Sequence, residues 1–294
     1  MAKVSPGRRV RDALANGTIQ TFGCYDAISA KLVEAAGLPM ASISGSMLSA
    51  SYGFPDIGML SMSEIAEASG RIAAAVDIPV LADADTGYGG IPNIVHAVQT
   101  FENRGVAGIK VEDQVSPKRC AGMGVEKVVA PEEMQANIAA AVAAKQDPDF
   151  MIVARTDSIA ATGFEDALKR IVMYEEAGAD MIFVQRPQSP EQIAQCAAAI
   201  SVPLMISSPE GSRIRLYDIE THKKLGVSVV VYATSLMLSG AAAMQQALAR
   251  ITKAGINEQD LASVYGREAL NDLLDLDYWR ERETAALSRF SLDN

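Results

Sequence analysis

The sequence predicts an α/β protein built as a (β/α)8 barrel of the TIM type, with extra C-terminal helices after the last barrel unit. Three observations carry that expectation. Eight short apolar segments recur along the chain, alternating with amphipathic stretches of helical period. The connections are short, and repeated β-then-α units with short loops imply parallel strands, eight of which close into a barrel. An open doubly wound sheet is the rival architecture, but no GxGxxG follows the first strand segment.

The first helix is expected over residues 5–17, stopping near Asn16-Gly17. Strands are expected at 21–25, 40–44, 80–83, 108–112, 151–156, 181–185, 204–207 and 227–232. Helices at 27–36, 63–76, 91–104, 131–144, 164–177, 190–199 and 217–225 fall between them. Gly37, Gly105, Gly178 and Gly226 stand where helix C-termini need a left-handed residue. Beyond the eighth strand come helical segments 241–253, 257–275 and 278–290, more than one barrel unit requires. We read 1–294 as one barrel domain, with 241–294 as a helical extension used in oligomerisation.

Hydrophobic residues make up 49% of the 294-residue chain and charged residues 21%, a balance that supports a large buried core. The net charge of −10 argues against nucleic acid or an anionic membrane surface as a partner. Three cysteines without CxxC spacing suit a reducing cytosol. The basic N-terminus has no apolar core of a secretory signal, and no apolar run is long enough for a membrane span. The expectation is a soluble cytoplasmic protein.

The chemistry is concentrated at the strand ends, where barrels of this kind place their active sites. The third strand runs out through Asp83 and Asp85 into Thr86-Gly87-Tyr88-Gly89-Gly90. Residues two apart on a strand share a face, so the two carboxylates converge. Such a pair needs a divalent cation between its members or a shared proton, and the alternative is a pair of solvated turn residues. Strand two ends in Ser44-Gly45-Ser46, a small-residue turn whose N–H groups and hydroxyls suit a carboxylate. Asp56 follows on the next loop, Glu112-Asp113 ends strand four, and Arg155-Thr156-Asp157 ends strand five. Carboxylate oxygens suit Mg²⁺ or Mn²⁺, and no His/Cys set has zinc spacing. His96 and His222, the only histidines, fall within predicted helices as surface or packing residues. After strand four, residues 114–124 read as a mobile loop carrying Cys120 beside Lys118 and Arg119, cations that favour a reactive thiol. Cys24 and Cys196 read as inert core residues.

The stretches SGSMLSASYGFPDIGMLSMSE, ADADTGYGG, VEDQVSPKRC and ARTDSIAATGFEDALKRIVMYEEAGAD resemble the isocitrate lyase/phosphoenolpyruvate mutase superfamily. They cover most of residues 20–180 and are most similar to its small members: methylisocitrate and dimethylmalate lyases, oxaloacetate decarboxylase-like enzymes and carboxyphosphonoenolpyruvate mutase. The resemblance implies a barrel whose last helix is exchanged between subunits of a dimer or tetramer, and a bound Mg²⁺. It implies that Asp85 binds the metal most directly, with Asp56, Asp83 and Glu112 holding its waters. Ser44, Gly45 and Ser46 would grip a substrate carboxylate and oxyanion with Arg155, and the loop around Cys120 would be a lid whose thiol protonates a carbanion.

Three departures from the family pattern mark the other half of the site. Ala121-Gly122 follows the lid cysteine where Gly-His is usual, Gln185-Arg186 stands on strand six where a glutamate is common, and strand seven reads Met205 to Glu210 with only Glu210 as a candidate equivalent. Arg186 and Arg213 are candidates for a different distal carboxylate. The resemblance implies a Mg²⁺-dependent carbon–carbon lyase acting on a small anionic 2-hydroxy di- or tricarboxylate by retro-aldol chemistry. Oxaloacetate decarboxylation or P–C chemistry on the same scaffold is the alternative, and a non-catalytic metabolite-binding barrel is the third reading.

Overall fold

The structure is a computed structural model that describes residues 4–124, 127–208, 217–255 and 264–289. Eight strands form it: β1 (Ile19–Cys24), β2 (Ala41–Ile43), β3 (Val80–Asp83), β4 (Gly108–Glu112), β5 (Met151–Thr156), β6 (Met181–Val184), β7 (Leu204–Ser207) and β8 (Val229–Tyr232). All pair in parallel in sequence order, and β1 pairs with β8 to close the barrel. The expected strand set is therefore complete, with boundaries shifted by two residues at most. The four expected helix-end glycines all take positive φ, from 75° at Gly37 to 95° at Gly178.

Alternation along each strand divides the side chains between two cores. Ile109 and Val111 of β4, with Val80 and Ala82 of β3, pack outward against the helix ring. Leu81, Met151, Val153, Met181 and Met205 fill the barrel interior, and Val10 of the first helix, Pro6–Leu14, joins that inner cluster. Near the strands' C-terminal ends the inward positions change from apolar to charged. Register brings Asp83 beside Lys110 and Glu112 beside Arg155 across neighbouring strands.

Three glutamates near helix ends repeat one device. Glu34 accepts the backbone N–H groups of Asp77 and Ile78 before β3, Glu102 those of Gln146 and Asp147 before β5, and Glu175 those of Ser201 and Val202 before β7. Each helix thereby supplies acceptors to the loop that enters a strand two units further round, where the backbone lacks ladder partners.

Helix Ser235–Ala254 starts before the expected 241, part of the expected helix 257–275 lies outside the described residues, and two helices were not expected. Gly45–Ser51, anticipated as a turn, is a helix whose N-cap Ser44 accepts the N–H of Met47 at 3.5 Å. A short helix, Ser158–Ala161, follows β5. Each has a serine at its cap or first position, and serine serves turns and helix caps alike, so composition does not separate the two. The chain divides into two compact units, Met1–Met237 and Leu238–Asn294. The second holds most of helix Ser235–Ala254 and helices Arg267–Leu273 and Leu276–Arg289. Among the described residues no helix is long and apolar enough to cross a membrane.

Candidate active site

A cavity of about 720 Å³, its open mouth included, lies at the C-terminal ends of the strands. Ser44, Gly45, Ser46, Asp56, Asp83, Cys120, Arg155 and Gln185 all line it, so most residues singled out in the sequence meet here. Asp85 and Glu112 are buried beside it through ion pairs to the lining residues Lys118 and Arg155. Glu210 and Arg213 lie outside the described residues.

Asp83 and Asp85 meet in a different way from simple strand alternation. β3 ends at Asp83, and Asp85 stands at φ 46°, in the left-handed region that costs a non-glycine residue roughly 1–3 kcal/mol. That turn sends the N–H of Asp85 back to Asp83 Oδ1 at 3.2 Å, while the Asp85 carbonyl accepts the N–H of Glu112 at 2.8 Å. Gly45 donates its N–H to Asp83 Oδ2 at 3.1 Å, so this donor, expected to face a substrate carboxylate, serves the protein's own carboxylate. The Ser44 and Ser46 hydroxyls lie 3.2 Å apart at the cavity wall.

Beneath Asp83 lies Lys110, buried on β4, whose ammonium donates to Ser42 Oγ at 3.0 Å and to the Ile43 carbonyl. Sequence reasoning passed over Lys110, although its i, i+2 spacing to Glu112 places both on the inward face. Burial alone pushes the Asp83 carboxyl up, but Lys110, Lys118 and Arg155 outweigh it and hold it below the usual range. Burial raises Asp85 to about 6 despite Lys118, and raises Glu112 well above its ordinary value despite Arg155. Lys110 is pushed down by burial.

The loop after β4 is closed at its base by a bridge between Gln114 and Val128. The Gln114 amide clamps Arg119 twice, accepting its N–H and donating to its carbonyl at 2.9 Å each. This folds Lys118 inward, with its ammonium 2.6 Å from Asp56 Oδ1 and 2.9 Å from Asp85 Oδ1. Lys118 had been expected to activate the thiol; its charge is committed to these carboxylates instead. Cys120 is partly exposed at the cavity and fixed through its N–H to the Asp56 carbonyl at 2.8 Å. Cys24 and Cys196 are buried, and burial pushes both thiols up to about 12, which fits inert core residues.

Arg155 completes the wall. Its Nε and Nη2 fork onto Asp157 at 2.8 and 3.0 Å, its Nη1 meets Glu112 Oε2 at 3.0 Å, and its guanidinium carbon lies 5.4 Å from the centre of the Phe183 ring. Gln185 presents a buried Oε1 with no hydrogen-bond donor, and Arg186 beside it takes φ 58°. The histidines behave as expected: His96 is exposed and His222 is buried with neither ring nitrogen bonded.

The acids of this site fit a hard divalent cation. Among the described residues, Asp56 Oδ1 and Asp85 Oδ1 meet only the Lys118 ammonium and Glu112 Oε1 meets no donor, so these three buried oxygens have lone pairs left over. Five carboxyl groups (Asp56, Asp83, Asp85, Glu112 and Asp157) stand among Lys110, Lys118 and Arg155 at this site. Among the described residues no three His, Cys, Asp or Glu side chains are close enough to enclose a metal by themselves.

A parallel barrel with acids, an arginine and a loop thiol at its C-terminal mouth defines an enzyme of the (β/α)8 class. Residues 13–252 match the family described as phosphoenolpyruvate phosphomutase, and the chain belongs to this family, within the PEP mutase/isocitrate lyase superfamily. It is 37% identical to a 2-methylisocitrate lyase of Shewanella oneidensis, covering 92% of this chain and 97% of the relative. It is 35% identical to a 2,3-dimethylmalate lyase of Eubacterium barkeri, covering 89% and 91%. A crystal structure of phosphonopyruvate hydrolase with oxalate and Mg²⁺ superposes with a TM-score of 0.85 at 32% identity, covering 98% of this chain and 99% of that one.

Proposed function

We propose that this enzyme is a Mg²⁺-dependent carbon–carbon lyase that cleaves a small 2-hydroxy di- or tricarboxylate, of methylisocitrate or dimethylmalate type, by retro-aldol chemistry. The observation that carries the reading is the joint placement of the acid cluster, Arg155 and the Cys120 thiol around one cavity. Asp85 would hold the cation directly, with Asp56, Asp83 and Glu112 holding its waters; Mn²⁺ is an acceptable substitute. The bound ion supplies positive charge against the substrate's carboxylate and the oxygen where charge develops.

The remaining work falls to the chain's own side chains. The Ser44 and Ser46 hydroxyls orient the carboxylate, Gly45 holds Asp83 in place through its N–H, and Arg155 stabilises the developing oxyanion. The substrate hydroxyl gives its proton to a carboxylate of the acid cluster, its oxygen becomes a keto oxygen, and the adjacent C–C bond breaks with its electron pair left on the departing carbon. Cys120 gives that carbon a proton, so the net reaction transfers one proton and yields pyruvate or glyoxylate with a second carboxylic acid. The loop over the cavity excludes water while the carbanion exists. Gln185, which lines the cavity, would contact the substrate's far end.

A second reading has one observation in its favour. An amide, Gln185, borders the cavity where an acid is usual, and an amide cannot take a proton as a base. Decarboxylation of oxaloacetate needs no base for a hydroxyl. The assay that separates them measures keto-acid release, with and without Mg²⁺, from methylisocitrate, isocitrate, dimethylmalate, citramalate, oxaloacetate and phosphonopyruvate. Metal-dependent pyruvate or glyoxylate from a hydroxy acid, with equal partner acid, is the expected result. Pyruvate from oxaloacetate alone would replace the lyase with the decarboxylase, and phosphonopyruvate turnover alone with P–C chemistry. The exposed apolar side chains Met244, Leu248 and Trp279 of the terminal unit support its use in a dimer or tetramer.

A further inference from the structure

We propose that Asp157 is a positioning residue of this reaction, the carboxylate that sets the direction of Arg155. The inference rests on the reading that Arg155 meets the substrate's developing oxyanion. A guanidinium has five N–H donors; two of those on Arg155 are committed to Asp157, and Nη1 stands 3.0 Å from Glu112 Oε2 as an ion pair. Donors remain on Nη1 and Nη2 for an anion in the cavity that Arg155 lines. The two-point fork fixes the plane of the group, whereas the ion pair with Glu112 alone would let it turn. Phe183 supports one face of that plane.

Asp157 is itself held from behind. Its side chain is fully buried, and it is not among the cavity's lining residues, so it acts through Arg155. Its N–H donates to Asp113 Oδ1 at 2.9 Å. The other Asp113 oxygen accepts the Thr156 hydroxyl at 2.7 Å and the Tyr174 hydroxyl at 2.9 Å, with Arg170 Nη1 at 3.5 Å. Helix Phe164–Glu176 is thereby tied through Asp113 to the end of β5, and from there to the guanidinium.

The test is calorimetric binding of oxalate in the presence of Mg²⁺ to the wild type, Arg155→Lys, Asp157→Asn and the double variant. Asp157→Asn is expected to weaken oxalate about 10- to 100-fold, the range of a lost charge-assisted hydrogen bond, with Mg²⁺ affinity within about twofold. The double variant is expected to bind oxalate no more weakly than Arg155→Lys, because a residue acting only through another adds nothing once that partner is changed. Oxalate affinity unchanged in Asp157→Asn, or losses that multiply in the double variant, would overturn the inference alone. Should Asp157→Asn not fold, Asp157→Glu keeps the buried charge but shifts the fork, and unchanged oxalate binding there would overturn it equally. A wild type that binds no oxalate with Mg²⁺ present would overturn the functional reading, and this inference with it.

Discussion

Lys118 and Asp85 form an ion pair of 2.9 Å beneath the loop that follows β4, and the same ammonium reaches Asp56 at 2.6 Å. All three residues are buried. Burial works against the Lys118 charge, but Asp85, Glu112, Asp83 and Asp56 together hold its ammonium form well above its ordinary range. The loop therefore contributes a cation to the carboxylates proposed above to hold a metal, and a metal bound there would compete with the lysine for the same oxygens.

Lys118→Met tests that competition. Removing one partner of a buried pair costs about 3–5 kcal/mol, because uncompensated charge remains. The metal-free variant is expected to melt well below the wild type. Added Mg²⁺ is expected to raise its melting temperature by more than it raises the wild type's. Equal shifts in both proteins, measured by differential scanning fluorimetry, would show that the two cations do not compete.

Cys120→Ser is expected to lower cleavage by about 10²–10⁴-fold, the usual worth of a positioned acid, while Mg²⁺ binding is retained. Asp85→Ala is expected to abolish both. Steady-state cleavage assays paired with metal titrations check this, and full activity in Cys120→Ser would remove the thiol from the mechanism.

Gly45→Ala addresses the local architecture. An added Cβ would stand 2.8 Å from Asp83 Oδ2 and force apart the N–H bond that holds this carboxylate. Overpacking of this kind costs about 1–3 kcal/mol. Both thermal stability and Mg²⁺ affinity are expected to fall; an unchanged metal affinity would mean that Asp83 is not held by Gly45.

Alkylation by iodoacetamide at pH 8 is expected to modify Cys120 alone in the native protein. Burial raises Cys24 and Cys196 to about 12, which leaves roughly one thiolate in 10⁴ at that pH. Mass spectrometry of the labelled peptides reads the result. The same shifts make stability fall as pH rises from about 8.5, the unfolded thiol value, toward 12, because the native state then binds more protons than the unfolded one.

His222 makes the opposite case at low pH. Burial holds its imidazole below the ordinary value, and among the described residues neither nitrogen has a hydrogen-bond partner. Below about 6.5 the unfolded state takes up the proton first, so stability is lost as pH falls through that range. His222→Phe is expected to flatten the pH dependence of denaturant midpoints between about pH 5 and 7. An unaltered slope would exclude His222 as its source.

The fold class was legible in the sequence because strand and helix periods are local properties. The segments 80–83, 108–112, 151–156 and 204–207 read from apolar patterning coincide with β3, β4, β5 and β7. The rim position of Asp56, Asp83, Glu112, Cys120 and Arg155 was legible too, since a parallel barrel carries every strand end to one mouth. Other features depended on chain segments far apart in sequence. The tie from Tyr174 to Asp113 spans 61 residues, and the Gly45 bond to Asp83 spans 38. Gly45 reads as a turn glycine until a carboxylate is seen against it, and Lys118 reads as a neighbour of Cys120 until the loop turns it toward Asp56 and Asp85. Periodicity along the chain thus determined the barrel and the placement of its charges. Which charge meets which was decided by packing, because a buried ion takes its partner from whatever the fold brings within 3 Å or so, at any distance along the chain.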